Sequence, residues 1–293
     1  MEFVFLKALN LKTDRYTMKK FILSLLSACL VLSVSAQPSD KKIGKIAFEM
    51  VDGEYEDAAF RAEKLLDDSD YRKNGWAYYY LAQAYYEIAK KPELSEDYPK
   101  ALKDALKATY KLSKYRDEDD ENMRVYRESE EFRTELKDSV ITVSEIYYDN
   151  DNPRKAAYYL KKIVKFDEDD YALWLMKGVY EIKSRNIGAG VKSIILAMDS
   201  IDESYVPEEV SAQTMVDALE EYALILQSGE YEKYFSAYRF EPTQADIDEA
   251  LAMKEEYKKY IKGPVVDKED RKKESETIFK TFRSEPDEEE DEE

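Results

Sequence analysis

The chain has 293 residues, with 45 Lys and Arg against 64 Asp and Glu, no histidine, one cysteine, eight glycines and eight prolines. A net charge of −19 repels phosphate backbones and anionic lipid surfaces, which argues against nucleic-acid binding and favours protein or cationic partners. Without histidine, and with no cysteine other than Cys29, the chain lacks the usual near-neutral base, a common nucleophile and the usual zinc ligands. Neither an enzyme, a metal nor a cofactor is expected.

In chain order, Lys19 and Lys20 precede a largely apolar run over residues 21–36 that ends Val34-Ser35-Ala36. A basic start, an apolar middle and small residues before a cut make a secretory signal peptide, with cleavage expected after Ala36. The run is shorter than the roughly 20 residues of a membrane span. Met18 directly precedes the two lysines, so residues 1–17 read as an upstream extension. A rival reading takes Leu26-Ser27-Ala28-Cys29 as a lipobox that would anchor the protein through Cys29. After cleavage 40 basic and 62 acidic residues remain, a net charge of −22.

Ile43, Ile46, Ala47 and Met50 recur at helical spacing over residues 41–51, followed by the turn Gly53-Glu54-Tyr55-Glu56-Asp57-Ala58 and a second helix with Ala58, Ala62 and Leu65 on one face. An aromatic helix over 75–90 precedes a loop containing Pro92 and a helix over 98–113 striped by Ala101, Ala105 and Ala108. Residues 116–121 are all charged, and 115–127 is expected to leave the helical array as a loop.

A long helix over 129–148 turns at residues 149–153 into a helix over 154–166. Helices over 171–184 and 188–200 flank a turn at Asn186 and Gly188, and a further helix covers 209–227. Gly229-Glu230-Tyr231-Glu232-Lys233-Tyr234 repeats the earlier turn formula. The last helix, 243–262, has Thr243 as N-cap, Gly263-Pro264 as stop, and one apolar face of Ile247, Ala250, Leu251 and Tyr257. Residues 285–293 hold eight acids in nine positions, and self-repulsion is expected to keep the segment 263–293 disordered.

Asp149-Asn150-Asp151-Asn152 invites a calcium reading, but the sixth and twelfth positions of such a loop fall on Arg154 and Leu160 rather than the required Gly and Glu, so a helix-to-helix turn is expected. Gly188-Ala189-Gly190 reads as a turn and packing site, because no phosphate-loop context surrounds it.

A shift of 34 residues superimposes the middle of the chain on itself. Val140 falls on Trp174, Ser144 on Gly178, Ala156 on Gly190, Leu160 on Ile194 and Ile163 on Ala197. Together with the two glycine-acid-tyrosine turns, this period resembles the tetratricopeptide repeat (TPR) superfamily over about residues 41–240. The resemblance implies an all-α, right-handed superhelical solenoid of stacked antiparallel helix pairs over residues 40–262, closed by a capping helix.

It also implies close packing of small residues within each pair: Ala82 with Ala101, Ser144 with Ala156 and Gly178 with Gly190. Ala108, Ile163 and Ala197 would pack against the next repeat. The groove positions carried over from the family are Trp76, Tyr79, Gln83 and Tyr86, then Ile141, Glu145 and Tyr148, then Leu175, Val179 and Ile182. Partly exposed aromatics there would anchor a protein or peptide partner, basic partners included. The competing reading is that most of these tyrosines are core between repeats. The lysine-rich positions with which some members grip acidic chaperone termini are here mostly aromatic, aliphatic or acidic.

The reading is therefore a periplasmic or secreted bacterial scaffold of the cell envelope, not inserted in the membrane after signal cleavage. The alternatives are an envelope assembly factor lipid-anchored through Cys29, and a carbohydrate-binding or carboxylate-based hydrolytic protein.

Overall fold

The structure, a computed structural model, describes residues 40–262. The expected signal peptide, with Met18, Cys29 and Ala36, and the charged segment from residue 263 onward lie outside the described residues. Among the described residues there are twelve α-helices and no strand.

Side-chain caps set several helix starts. Asp40 accepts from the Lys42 and Ile43 amides at the head of α1, Lys41–Asp52. Gly53, at φ +77°, closes α1, and α2 follows over Tyr55–Leu66. Glu49 on α1, buried, is gripped by Arg61 of α2 at 2.6 Å. Asn74 caps α3, Gly75–Ala89. A 3₁₀ turn at Pro92–Leu94 leads to α4, Ala101–Lys114.

The charged stretch expected to be a loop is instead a helix, α5, Asp120–Glu128, capped by Asp119. Two features outweigh its composition. Its charges point outward or pair, and one face buries Asn122 and Val125. Asn122 accepts from the Gly75 amide at 2.7 Å and donates to the carbonyls of Lys73 and Tyr115 at 2.8 and 3.0 Å. A Cβ at Gly75 would lie 2.8 Å from the Asn122 Oδ1, so this contact requires glycine.

The long helix α6 runs Glu130–Asp149. Asp151 takes the left-handed conformation, φ 62°, and Asn152 caps α7, Pro153–Ile163. Residues 149–152 are thus a helix-to-helix turn. Asp170 caps α8, Tyr171–Lys183. The next turn differs from expectation in detail: Arg185, φ 69°, takes the left-handed place, and Gly188 already lies inside α9, Ile187–Ser200. Then come α10, Ala212–Ser228, α11, Glu232–Ser236, and α12, Gln244–Tyr257. Thr243 and Asp246 form a capping box at the start of α12. Ile247, Ala250 and Tyr257 bury the inner face of α12, whereas Leu251 is exposed.

Sequential helices pack on one another: α1 on α2, α2 on α3, α3 on α4, α6 on α7, α7 on α8 and α8 on α9. Contacts two and three helices apart join α1 to α3, α4 to α7, α8 to α10 and α10 to α12. One apolar core runs through all of these from Ile43 to Tyr257.

Two helix pairs are built alike. The turn after α6 has the Asn152 amide bonded to the Tyr147 carbonyl and the Asp151 amide to Tyr148. The turn after α8 has Asn186 bonded to Glu181 and Arg185 to Ile182, each position 34 residues later. At the crossings, Ser144 Oγ donates to the Ala156 carbonyl at 2.9 Å, and Gly178 meets Gly190 so closely that a Cβ on either would lie 2.6–2.8 Å from the other's carbonyl. Leu160, Ile163, Ile194 and Ala197 are fully buried or nearly so, as are Ala82, Ala101 and Ala108 on the packed pair α3 and α4.

Candidate functional site

The positions carried over to the groove divide sharply by burial. Trp76, Tyr86, Ile141, Leu175, Val179 and Ile182 are buried among the chain's own side chains, so they offer no surface to a partner. Trp76 is covered by α5, the segment expected to be a loop; its indole Nε1 donates to Glu121 at 2.7 Å and its ring stacks on Tyr80. Tyr86 packs edge-on against Phe132 and bonds through its hydroxyl to Ser139 and Glu135. For these two the core reading of the tyrosine-rich helix is the one observed. Tyr79, Gln83, Glu145 and Tyr148 remain half-exposed.

The half-exposed positions belong to a continuous acidic and aromatic face. On α6, Glu131, Glu135, Asp138, Thr142, Glu145 and Asp149 recur at steps of four and three residues, which is one face of a helix. All are exposed or half-exposed, and the stripe runs for roughly 27 Å at 1.5 Å per residue. Glu128 and Glu131 lie close enough to Tyr79 of α3 to act on its hydroxyl, which burial pushes above its ordinary pKa against the Gln83 hydrogen bond.

At the other end, Tyr148 of α6 stacks on Tyr180 of α8, with ring centroids 4.4 Å apart. Burial raises both hydroxyl pKa values. Glu145, Asp149 and Asp217 of α10 reinforce the rise at Tyr180, and Glu221 of α10 does so at Tyr148. Lys90 and Lys183 reach into the face. Lys90 sits over the Tyr86 ring and bridges Glu87 and Glu135, and Lys183 pairs with Glu221 at 3.2 Å.

No family model, curated protein or solved structure matches this chain.

The chemistry of the face therefore rests on its own residues. Carboxylates in excess over amines, set around half-exposed tyrosine rings, favour an extended cationic ligand: ammonium and guanidinium groups gain from the carboxylates and from the ring faces together. Among the described residues no group of three or more Asp, Glu, Cys or His is arranged to hold a metal ion, and no helix is long and apolar enough to cross a membrane.

Two buried charged clusters lie elsewhere in the fold, the first with no local sequence signal. Lys137 of α6 lies within 2.5 Å of Asp167, 3.1 Å of Asp170 and 2.6 Å of Glu208, and Ser211 donates to Asp170. Burial works against the Lys137 charge, but Asp170 and Asp167 outweigh it and hold the amine above its ordinary pKa. The partners lie 30 to 71 residues away in sequence, so only the fold brings them together.

On α8 and α9, Lys177 lies 2.8 Å from Glu181 and 2.7 Å from Ser193 Oγ. A serine beside an amine that burial pushes down has the composition of a nucleophile pair. Here Ser193 bonds to Glu181 and to its own helix, and the Glu181 carboxylate stabilises the ammonium form. The amine is thus an ion-pair partner and the hydroxyl a bridge, an arrangement that holds α8 against α9.

Proposed function

We propose that this chain is an exported, TPR-like helical solenoid whose acidic and aromatic face binds a cationic segment of a protein partner in the bacterial envelope. Helix pairs α1–α2, α3–α4, α6–α7 and α8–α9 act as repeats, α10 opens a degenerate last repeat, and α12 is the cap. The observation that carries the repeat reading is the 34-residue equivalence of the turns at Asp151 and Arg185 and of the crossings Ser144–Ala156 and Gly178–Gly190. Each such pair is too small to bury its own apolar stripe, and stacking completes the core.

The face consists of Tyr79 and Gln83 on α3, Glu131, Glu135, Asp138, Glu145, Tyr148 and Asp149 on α6, and Asp217 and Glu221 on α10, all on first helices of their pairs. Its excess of carboxylates selects for lysine- and arginine-rich sequence, and Tyr148 supplies area with few rotors to fix. The buried positions Trp76, Tyr86, Ile141, Leu175, Val179 and Ile182 shape the face from beneath.

The test is capture from an envelope extract by residues 37–293, run beside Glu145→Lys/Asp217→Lys and Tyr148→Ala variants of the same chain. The reading expects a partner retained by the parent and lost from both variants. Equal retention by all three removes this face as the binding site.

A further inference from the structure

On this acidic protein one surface is basic. Lys107 on α4 and Lys161 on α7 are exposed, Lys103 on α4, Lys162 on α7 and Lys165 just beyond it are half-buried, and α4 packs against α7. The charges acting on the Lys162 amine are all lysines, namely Lys165, Lys161, Lys103 and Lys107, and after burial they push its pKa below the ordinary value. Crowding like charges costs stability. Two tyrosines lie among them: Lys162 and Lys103 sit 4.8 and 5.6 Å from the Tyr158 ring centre, and Lys165 sits 5.7 Å from that of Tyr110. Asp104 lies nearby: burial and Glu63 push its carboxyl upward, and Lys107, Lys100 and Lys103 pull it down. The patch lies on α4 and α7, the second helices of their pairs, whereas the acidic stripe lies on the first helix α6.

We infer that this lysine patch is the docking surface for the chain's own acidic segment, residues 285–293. Eight acids in nine positions match the patch in sign and density, and the same segment is repelled by the α6 face. The 22 residues from 263 to 284 span up to about 75 Å when extended, so reach imposes no limit. Tethering also gives the segment an effective concentration on the order of millimolar, which favours the same chain over a second copy. Docking there neutralises the crowded amines and leaves the acidic face open to its cationic partner.

Carbodiimide coupling of the full chain, which joins only carboxylates and amines in contact, tests this directly. An equal mixture of ¹⁴N and ¹⁵N chains reports whether the links are within one molecule. The expected result is same-isotope links from residues 285–293 to Lys103, Lys107, Lys161, Lys162 and Lys165, falling about fivefold in 0.5 M salt; in a Lys107→Gln/Lys161→Gln/Lys162→Gln/Lys165→Gln variant, which keeps only the Lys103 amine of the patch, the Lys103 link should fall about fivefold as well.

A second arm leaves the helices untouched. Replacing the eight acids of 285–293 by their amides should raise acetylation of Lys161, Lys162 and Lys165 about fivefold. Links spread over lysines elsewhere, mixed-isotope links, or unchanged lysine reactivity in the amide variant would each overturn the inference.

Discussion

The Lys137 ammonium lies 3.1 Å from the Asp170 carboxylate, and both side chains are about 2% exposed. The pair joins the middle of α6 to the start of α8, where Asp170 also caps the helix through the Leu173 amide. Ser211 and Glu208, just ahead of α10, complete the cluster.

Removing the amine should be more costly than the pair is valuable, because it leaves a buried carboxylate alone. Lys137→Met is expected to lose about 3–5 kcal/mol of unfolding free energy, measured by urea denaturation at pH 7. The loss should depend on pH. Burial already raises the Asp170 pKa, and without Lys137 it rises further. A carboxyl raised in the folded state retains its proton when the unfolded chain has lost it, so stability is present at low pH and falls as pH rises from about 4 through the folded pKa. The deficit of Lys137→Met should therefore be smallest near pH 4 and grow toward pH 7. A deficit independent of pH would show that Asp170 is not the group left unpaired.

The crossings of the two equivalent pairs should respond unequally to alanine. At Gly178 and Gly190 an added methyl meets backbone carbonyls at under 3 Å, which helices cannot relieve by a side-chain turn. Each Gly→Ala change is expected to cost about 1–3 kcal/mol despite the gain in helix propensity. Ser144→Ala loses one hydrogen bond to a carbonyl and should cost about 0.5–1.5 kcal/mol. Thermal melts of the three single variants give the order.

Asn122 should matter to the array more than its charged surroundings suggest. Asn122→Ala gives up bonds to the Gly75 amide and to two carbonyls, and at about 0.5–1.5 kcal/mol for each bond the loss should reach about 2 kcal/mol or more. Asn122→Asp, which keeps the acceptor for Gly75 but not the two donors, should lie between. Hydrogen exchange of the first turn of α3 should rise in the alanine variant before the rest of the chain is affected.

Capping gives a smaller, separable effect. Asp40 accepts from two amides of α1 and from the Tyr71 hydroxyl at 2.5 Å, and the Tyr71 bond, with these amides, holds its carboxyl below the usual range. A carboxylate lowered in the folded state contributes above its unfolded pKa near 3.9 and loses that contribution as pH falls through the folded value. Asp40→Ala should cost about 1 kcal/mol at pH 7 and progressively less below pH 4, whereas Asp40→Asn should retain most of the cap.

Much of the helical layout was legible because it is local. Apolar spacing, Gly53, the Asn-Pro turn and the Thr243 cap mark their elements within a few residues, and the 34-residue shift marks two like pairs. The failures share a physical cause. Residues 116–121 hide a helix because its buried face needs only Asn122 and Val125, and charge dominates the count. Once α5 is missed, Trp76 looks open, although α5 covers it. Lys137 shows no trace of its partners 30, 33 and 71 residues away. The acidic stripe of α6 is within reach of the sequence, since its steps of four and three residues stand there; the repeat register points to Glu145 alone among its members, and Asp149 draws notice only as part of the turn.

The most direct test of the proposed binding face is photo-crosslinking in living cells. The reagent residue p-benzoylphenylalanine would replace Tyr148 on that face in one strain, and exposed Phe60 of α2 in another. A discrete protein adduct at position 148, absent at 60 and lost when Glu145 and Asp217 are also changed to lysine, is the predicted result. An adduct at 60 alone, or an adduct at 148 that survives the charge reversal, would contradict recognition of a cationic partner by the α6 face.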